Sequence, residues 1–148
     1  MSNIENSNKE LLKELGNREE YWNNTIKKLS ERIKCDAKDI VGLQSDTISQ
    51  KQILTDEIKY ISYELHKFRP MYKEIRKLKI EFYLTKYPIK LQGREKLFML
   101  EHDISFYEQR LDIYDSHIDF LRTSMNTIDT ITYAIKNKIT LYQLIDLE

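Results

Sequence analysis

In the last third of the chain, Leu97, Leu100, Ile104, Tyr107, Leu111, Tyr114, Ile118, Leu121, Met125, Ile128, Thr132, Ile135, Ile139 and Tyr142 follow one another at steps of three and four, with Thr132 the one non-apolar member. That spacing requires a long helix packed along another helix. Met99, Phe106, Ile113, Phe120, Ala134 and Leu141 keep the seven-residue period on a neighbouring line, broken at Thr127. A helix with two apolar strips needs two neighbours. The first strip is expected to pack inside the subunit. The second, at Met99, Phe106, Ile113 and Phe120, is expected to meet another copy, which favours a helical bundle subunit that assembles into a ring-like homo-oligomer.

With 148 residues the chain has room for a single domain with one modest core. Its 3 Gly and 2 Pro, beside 32% charged residues, suit helices and not turn-rich sheet, so the expected class is all-α. Cys35 is the lone cysteine and rules out an internal disulfide. The opening residues are polar, without an apolar signal core, and no run approaches the roughly 20 apolar residues of a membrane span. A soluble, cytoplasmic protein without a membrane partner is the expectation.

A first helix is predicted from about Ser7 to Lys34, capped by Asn6 or Ser7 with Glu10 three residues on. Residues 35–45, with Gly42, read as a connection. A second helix begins near Asp46 and carries Leu54, Ile58, Ile61, Leu65, Phe68, Tyr72 and Ile75, with a kink or short break expected near Phe68 because Pro70 lies inside it. Thr85 to Gly93 is the clearest loop. The β-branched residues from Thr127 to Thr132 lower helix propensity and mark a further possible break.

The net charge is zero, yet residues 67–96 hold ten basic side chains against three acidic ones. Arg69, Lys73, Arg76 and Lys77 fall on one helix face, Lys79 lies at its edge, and Lys86, Lys90 and Arg94 follow in the loop. Such a face can track a phosphate backbone, and Tyr72, Phe82, Tyr83 and Tyr87 lie near enough in sequence to stack on unpaired bases. The structural alternative is a solvated basic face over core aromatics. On the seam helix, Glu101, Glu108, Asp112, Asp115 and Asp119 form an acidic strip suited to solvent or to a basic partner. Between the apolar strips lie Asp103, Arg110, His117 and Ser124, polar groups expected to set register.

His66 and His102 have no ligand-like partners, and there is no HExxH, paired CxxC or Gly-rich phosphate loop. Neither an enzyme nor a metal or other cofactor is expected.

Lys77-Leu78-Lys79-Ile80-Glu81-Phe82-Tyr83 resembles a segment of the UvsY-type recombination mediators of tailed bacteriophages. Asp119-Phe120 and Tyr133-Ala134-Ile135-Lys136 resemble that family's C-terminal part. The resemblance spans roughly residues 50–145. Residues 1–45 then form an N-terminal helix and connection outside a mediator-like core of 46–145. The resemblance implies a non-enzymatic recombination mediator that binds single-stranded DNA, works in the host cell cytoplasm, and contacts a phage recombinase and a single-strand-binding protein. Its DNA-binding residues would be Arg69, Lys73, Arg76, Lys77, Lys79, Tyr83, Lys86, Lys90 and Arg94. The alternative is a structural coiled-coil or scaffolding protein without a DNA role.

Overall fold

The computed structural model describes residues 3–87 and 93–146. Among them the chain is all-α, without a strand: α1 (Asn3–Arg32), α2 (Ile40–Glu81), a five-residue π-turn (Phe82–Lys86) and α3 (Gly93–Asp146). It divides into two compact units, one of Met1–Glu14 with Ile61–Ser116 and one of Leu15–Tyr60 with His117–Glu148. Each unit contains a stretch of all three helices, so α1 belongs to both cores.

In the second unit Trp22 of α1 is fully buried among Leu54 of α2 and Leu121 and Ile128 of α3. Its indole N–H donates to Glu57, which also takes Arg18 Nε at 2.5 Å. A second cluster joins Leu29 to Ile40, Leu43, Ile131 and Ile135. Four polar contacts record helix direction here. Glu19 meets His117 and Ile33 O accepts from Lys138, so α1 and α3 run parallel; Arg18 meets Glu57 and Arg32 meets Asp46, so α1 and α2 run antiparallel.

The first unit buries Ile61, Leu65 and Phe68 of α2 with Ile104, Ile113 and Tyr114 of α3, and Phe68 and Tyr114 meet edge to face at 6.2 Å. Asn8 of α1 is buried beside α3, its amide donating to Phe106 O at 2.8 Å and to Gln109 Oε1 at 3.2 Å.

These contacts bear on the second apolar strip, expected between copies at Met99, Phe106, Ile113 and Phe120. Ile113 is buried within its own chain, and Phe120 packs on the Trp22 cluster. Met99 and Phe106 are half-buried. At Phe120 the covering element is α1, through the Trp22 cluster.

Three local expectations change. Helix α2 starts at Ile40, because Ile40 and Leu43 gain burial in the Leu29 cluster that outweighs the cost of Gly42 in a helix. It continues without a break past Pro70, the loss of one backbone hydrogen bond being tolerated within a helix packed on both sides of that point. Nor does α3 break at residues 127–132. The hydroxyls of Thr127, Thr130 and Thr132 bond back to the carbonyls four residues earlier, while Ile128 and Ile131 are buried.

Trp22→Ala should therefore lower stability by about 3–5 kcal/mol, through lost burial and the lost indole hydrogen bond to Glu57. Leu12→Ala, at an exposed position of the same helix, should change it by less than about 0.5 kcal/mol. Urea unfolding followed by circular dichroism measures both, and equal effects would remove Trp22 from the centre of the core.

Candidate nucleic-acid interface

The candidate site is built in the first unit by the C-terminal turns of α2, the π-turn and the first turns of α3. Residues 69, 73, 76 and 77 share one face of α2 because they are spaced by three, four and seven. All four are exposed. Arg69 is held near Asp115 of α3 at 3.6 Å, a solvent-exposed pair. Lys73, Arg76 and Lys77 have no ion-pair partner among the described residues, and with Ile80 and Glu81 they line a shallow groove. Lys86 and Arg94 are also exposed and unpaired among those residues. Lys90 lies outside the described residues.

Two of the expected contact residues make ties within the chain. Tyr83 is 6% exposed, and its hydroxyl donates to Asp103 Oδ2 at 2.5 Å. Lys79 is half-buried and reaches the same oxygen at 3.7 Å. Tyr83 is thus buried against its own chain, and its hydroxyl ties the turn to Asp103. Lys79 occupies an inward slot of the helix because Asp103 offers it a countercharge there.

The π-turn explains which rings remain. Its widened turn closes with Tyr87 N–H donating to Phe82 O at 2.8 Å, a bond spanning five residues. This brings Phe82, Tyr83 and Tyr87 into one cluster, with centroids 5.1, 5.6 and 5.2 Å apart pairwise. Phe82 is exposed and Tyr87 half-buried, so these two rings, and not Tyr83, can offer a face to a base. Their grouping was not readable in sequence, because helical spacing of 3.6 residues per turn sets 82 and 87 on different faces.

Tyr72 is half-buried and donates to Glu108 Oε1 at 2.8 Å. Burial, then that hydrogen bond, raises its phenol above the usual value, against the opposing charge of Arg76. With Glu108 on Tyr72 and Asp115 near Arg69, two members of the acidic strip are engaged within the unit. Among the described residues no group of three or more His, Cys, Asp or Glu side chains could hold a metal ion, and no helix is long and apolar enough to cross a membrane.

The hydrogen bond to Asp103, followed by burial, pushes the Tyr83 phenol up from 10.0 to about 12. A raised phenol pKa favours the protonated ring in the folded state, so this stabilisation is complete below pH 10 and is lost as pH climbs towards 12. Urea unfolding at pH 9 and at pH 11 should show a steeper alkaline loss in the wild type than in Tyr83→Phe, with the variant about 1 kcal/mol less stable at the lower pH. Parallel pH profiles would show that Tyr83 does not titrate against Asp103. No protein-family model, curated protein or solved structure matches this chain, so its site is read from its own residues.

Proposed function

We propose that the chain is a non-enzymatic recombination mediator that binds single-stranded DNA through Lys73, Arg76 and Lys77, with Lys86 and Arg94 extending the contact. The observation that carries this reading is that these cations are exposed and unpaired, although acids of the same unit have taken Arg69 and Lys79. Left without countercharges, they gain most from a polyanion, whose binding releases condensed counterions. Phe82 and Tyr87 supply ring surface for an unpaired base at the end of the same face. The resemblance of residues 77–83 to UvsY-type mediators supports the same direction and adds the implied partners, a phage recombinase and a single-strand-binding protein.

In this reading several copies act together. A few phosphate contacts per chain bind weakly, and assembly into a ring raises the effective concentration of each further site along one strand. With Ile113 and Phe120 occupied inside the chain, assembly falls to apolar side chains that stay exposed, Leu97 and Phe98 among them. Those exposed residues are also what favours the second reading, a scaffolding protein without a DNA role.

Lys73→Gln, Arg76→Gln and Lys77→Gln together should weaken oligo-dT binding and flatten the dependence of log affinity on log salt by about 2, from roughly 0.7 per phosphate contact. The loss should be the same on mixed sequence, since phosphate contacts carry no base information. Fluorescence anisotropy across a salt series tests this; unchanged affinity and slope would move the assignment to scaffolding. Phe98→Glu should lower the mass seen by light scattering at micromolar concentration and, with it, the affinity for long oligo-dT. A wild-type protein that is monomeric in that measurement would remove the ring.

A further inference from the structure

A different face of the first unit carries a second site. Arg110, on the polar line of α3, is half-buried, and no carboxylate lies within ion-pair distance of it among the described residues. Its Nε donates to Asn8 Oδ1 at 2.7 Å, Nη1 to the Tyr114 hydroxyl at 3.3 Å, and Nη2 to Ser7 Oγ. All three acceptors are neutral. The Tyr114 ring, 5.7 Å from the guanidinium carbon, offers the nearest compensation. A partly desolvated guanidinium without a countercharge gains from an anion, and here it still has N–H donors with no protein acceptor.

Arg110 opens on a groove of about 300 Å³, within the size range of small-ligand sites, roughly 300–1,000 Å³. Lys67 lies on its α2 side as a second cation, and Glu64 as a single acceptor-only group. Ile4, Phe68, Met71 and Tyr114 supply the apolar wall. Residues 64, 67, 68 and 71 are spaced by three, four and seven and so share one face of α2, which is not the face of residues 69, 73, 76 and 77.

We propose that this groove binds a nucleoside monophosphate, free or as one unit of a strand, with its phosphate on Arg110 and Lys67. The two cations match a phosphate dianion, and Arg110 supplies directional donors while Lys67 supplies a point charge. Glu64 suits a hydroxyl or N–H donor, which a sugar or base provides and a bare anion does not. The apolar wall accepts a flat ring. One nucleotide presents all three features in a molecule that fits the volume. The site does not rest on the strand-binding reading, because it uses other residues on another face.

The test is isothermal titration of the full chain with dTMP, thymidine and inorganic phosphate at constant ionic strength. Binding of dTMP should be saturable, and thymidine and phosphate should each bind about tenfold or more weakly. Lys67→Gln and Arg110→Lys should each weaken dTMP about tenfold, since each removes or misplaces a charge-assisted hydrogen bond. Lys67 is exposed, so its variant reports on binding even if Arg110→Lys unfolds the Ser7 and Asn8 network. Lys73→Gln should leave dTMP unaffected while weakening oligo-dT, which separates this site from the strand-binding face. Oligo-dT that displaces dTMP from the Lys73→Gln protein assigns the groove to a nucleotide within a strand; oligo-dT that leaves dTMP bound assigns it to the free nucleotide. The proposal is overturned by absent dTMP binding, by inorganic phosphate binding as tightly as dTMP, or by a Lys67→Gln protein that binds dTMP as the wild type does.

Discussion

The burial of Trp22 is the constraint on which the second unit depends, because there the largest buried side chain of α1 meets apolar side chains from both other helices. A large ring without solvent contact fixes its helix closely, and the bond from its indole N–H to Glu57 fixes the axial position as well. Glu57 in turn holds Arg18, whose guanidinium lies 4.2 Å from the centre of the Tyr21 ring. Once α1 is set in this way, Phe120 of the second apolar strip has a neighbour inside the chain. The inference from two strips to two partners is sound as packing physics. It does not say whether the second partner comes from the same chain, and at Phe120 α1 supplies one.

The polar line on α3 shows how the same helix is held against its neighbours in each unit. In the first unit Asp103 accepts from Tyr83 and pairs with Lys79, and Arg110 donates to Asn8 and Ser7. In the second unit His117 meets Glu19 at 3.2 Å. Apolar contact is non-directional and would tolerate a slide of one turn, whereas each of these pairs is made at a single register. Asp103 also has an electrostatic role. By pairing with Lys79 it removes one cation from the belt and leaves Lys73, Arg76 and Lys77 among the exposed, unpaired ones.

Much of this was legible from periodicity, and what was not has identifiable causes. The all-α class follows from unbroken three-and-four spacing, and Ile104, Tyr114, Ile118, Leu121, Ile128 and Ile135 of the seam are buried. Breaker residues misled where tertiary packing outweighs propensity, as at Gly42 beside the buried Ile40 and Leu43, and at Thr127 to Thr132 beside Ile128 and Ile131. In the candidate site the exposure of Lys73, Arg76 and Lys77 could be read from the helical face they share. The inward turn of Tyr83 could not, because it depends on the π-turn that begins at Phe82 and on Asp103, twenty residues away. The Arg110 site had one legible signal, its place on a line of polar residues between apolar strips, but its neutral partners Ser7 and Asn8 lie about a hundred positions upstream.

A net charge of zero does not weaken a local basic face. From Lys73 to Lys77 the helix rises about 6 Å, less than the roughly 8 Å screening length at physiological salt, so Lys73, Arg76 and Lys77 present one field to an approaching strand. Carboxylates of the same unit that could cancel it are already committed in part, Asp103 to Lys79 and Tyr83, Glu108 to Tyr72, and Asp115 to Arg69. What determines attraction at contact distance is therefore the local pairing of acids and bases and not their totals. A chain balanced overall can hold a polyanion at one face and still avoid the nonspecific adhesion of a protein that is basic throughout.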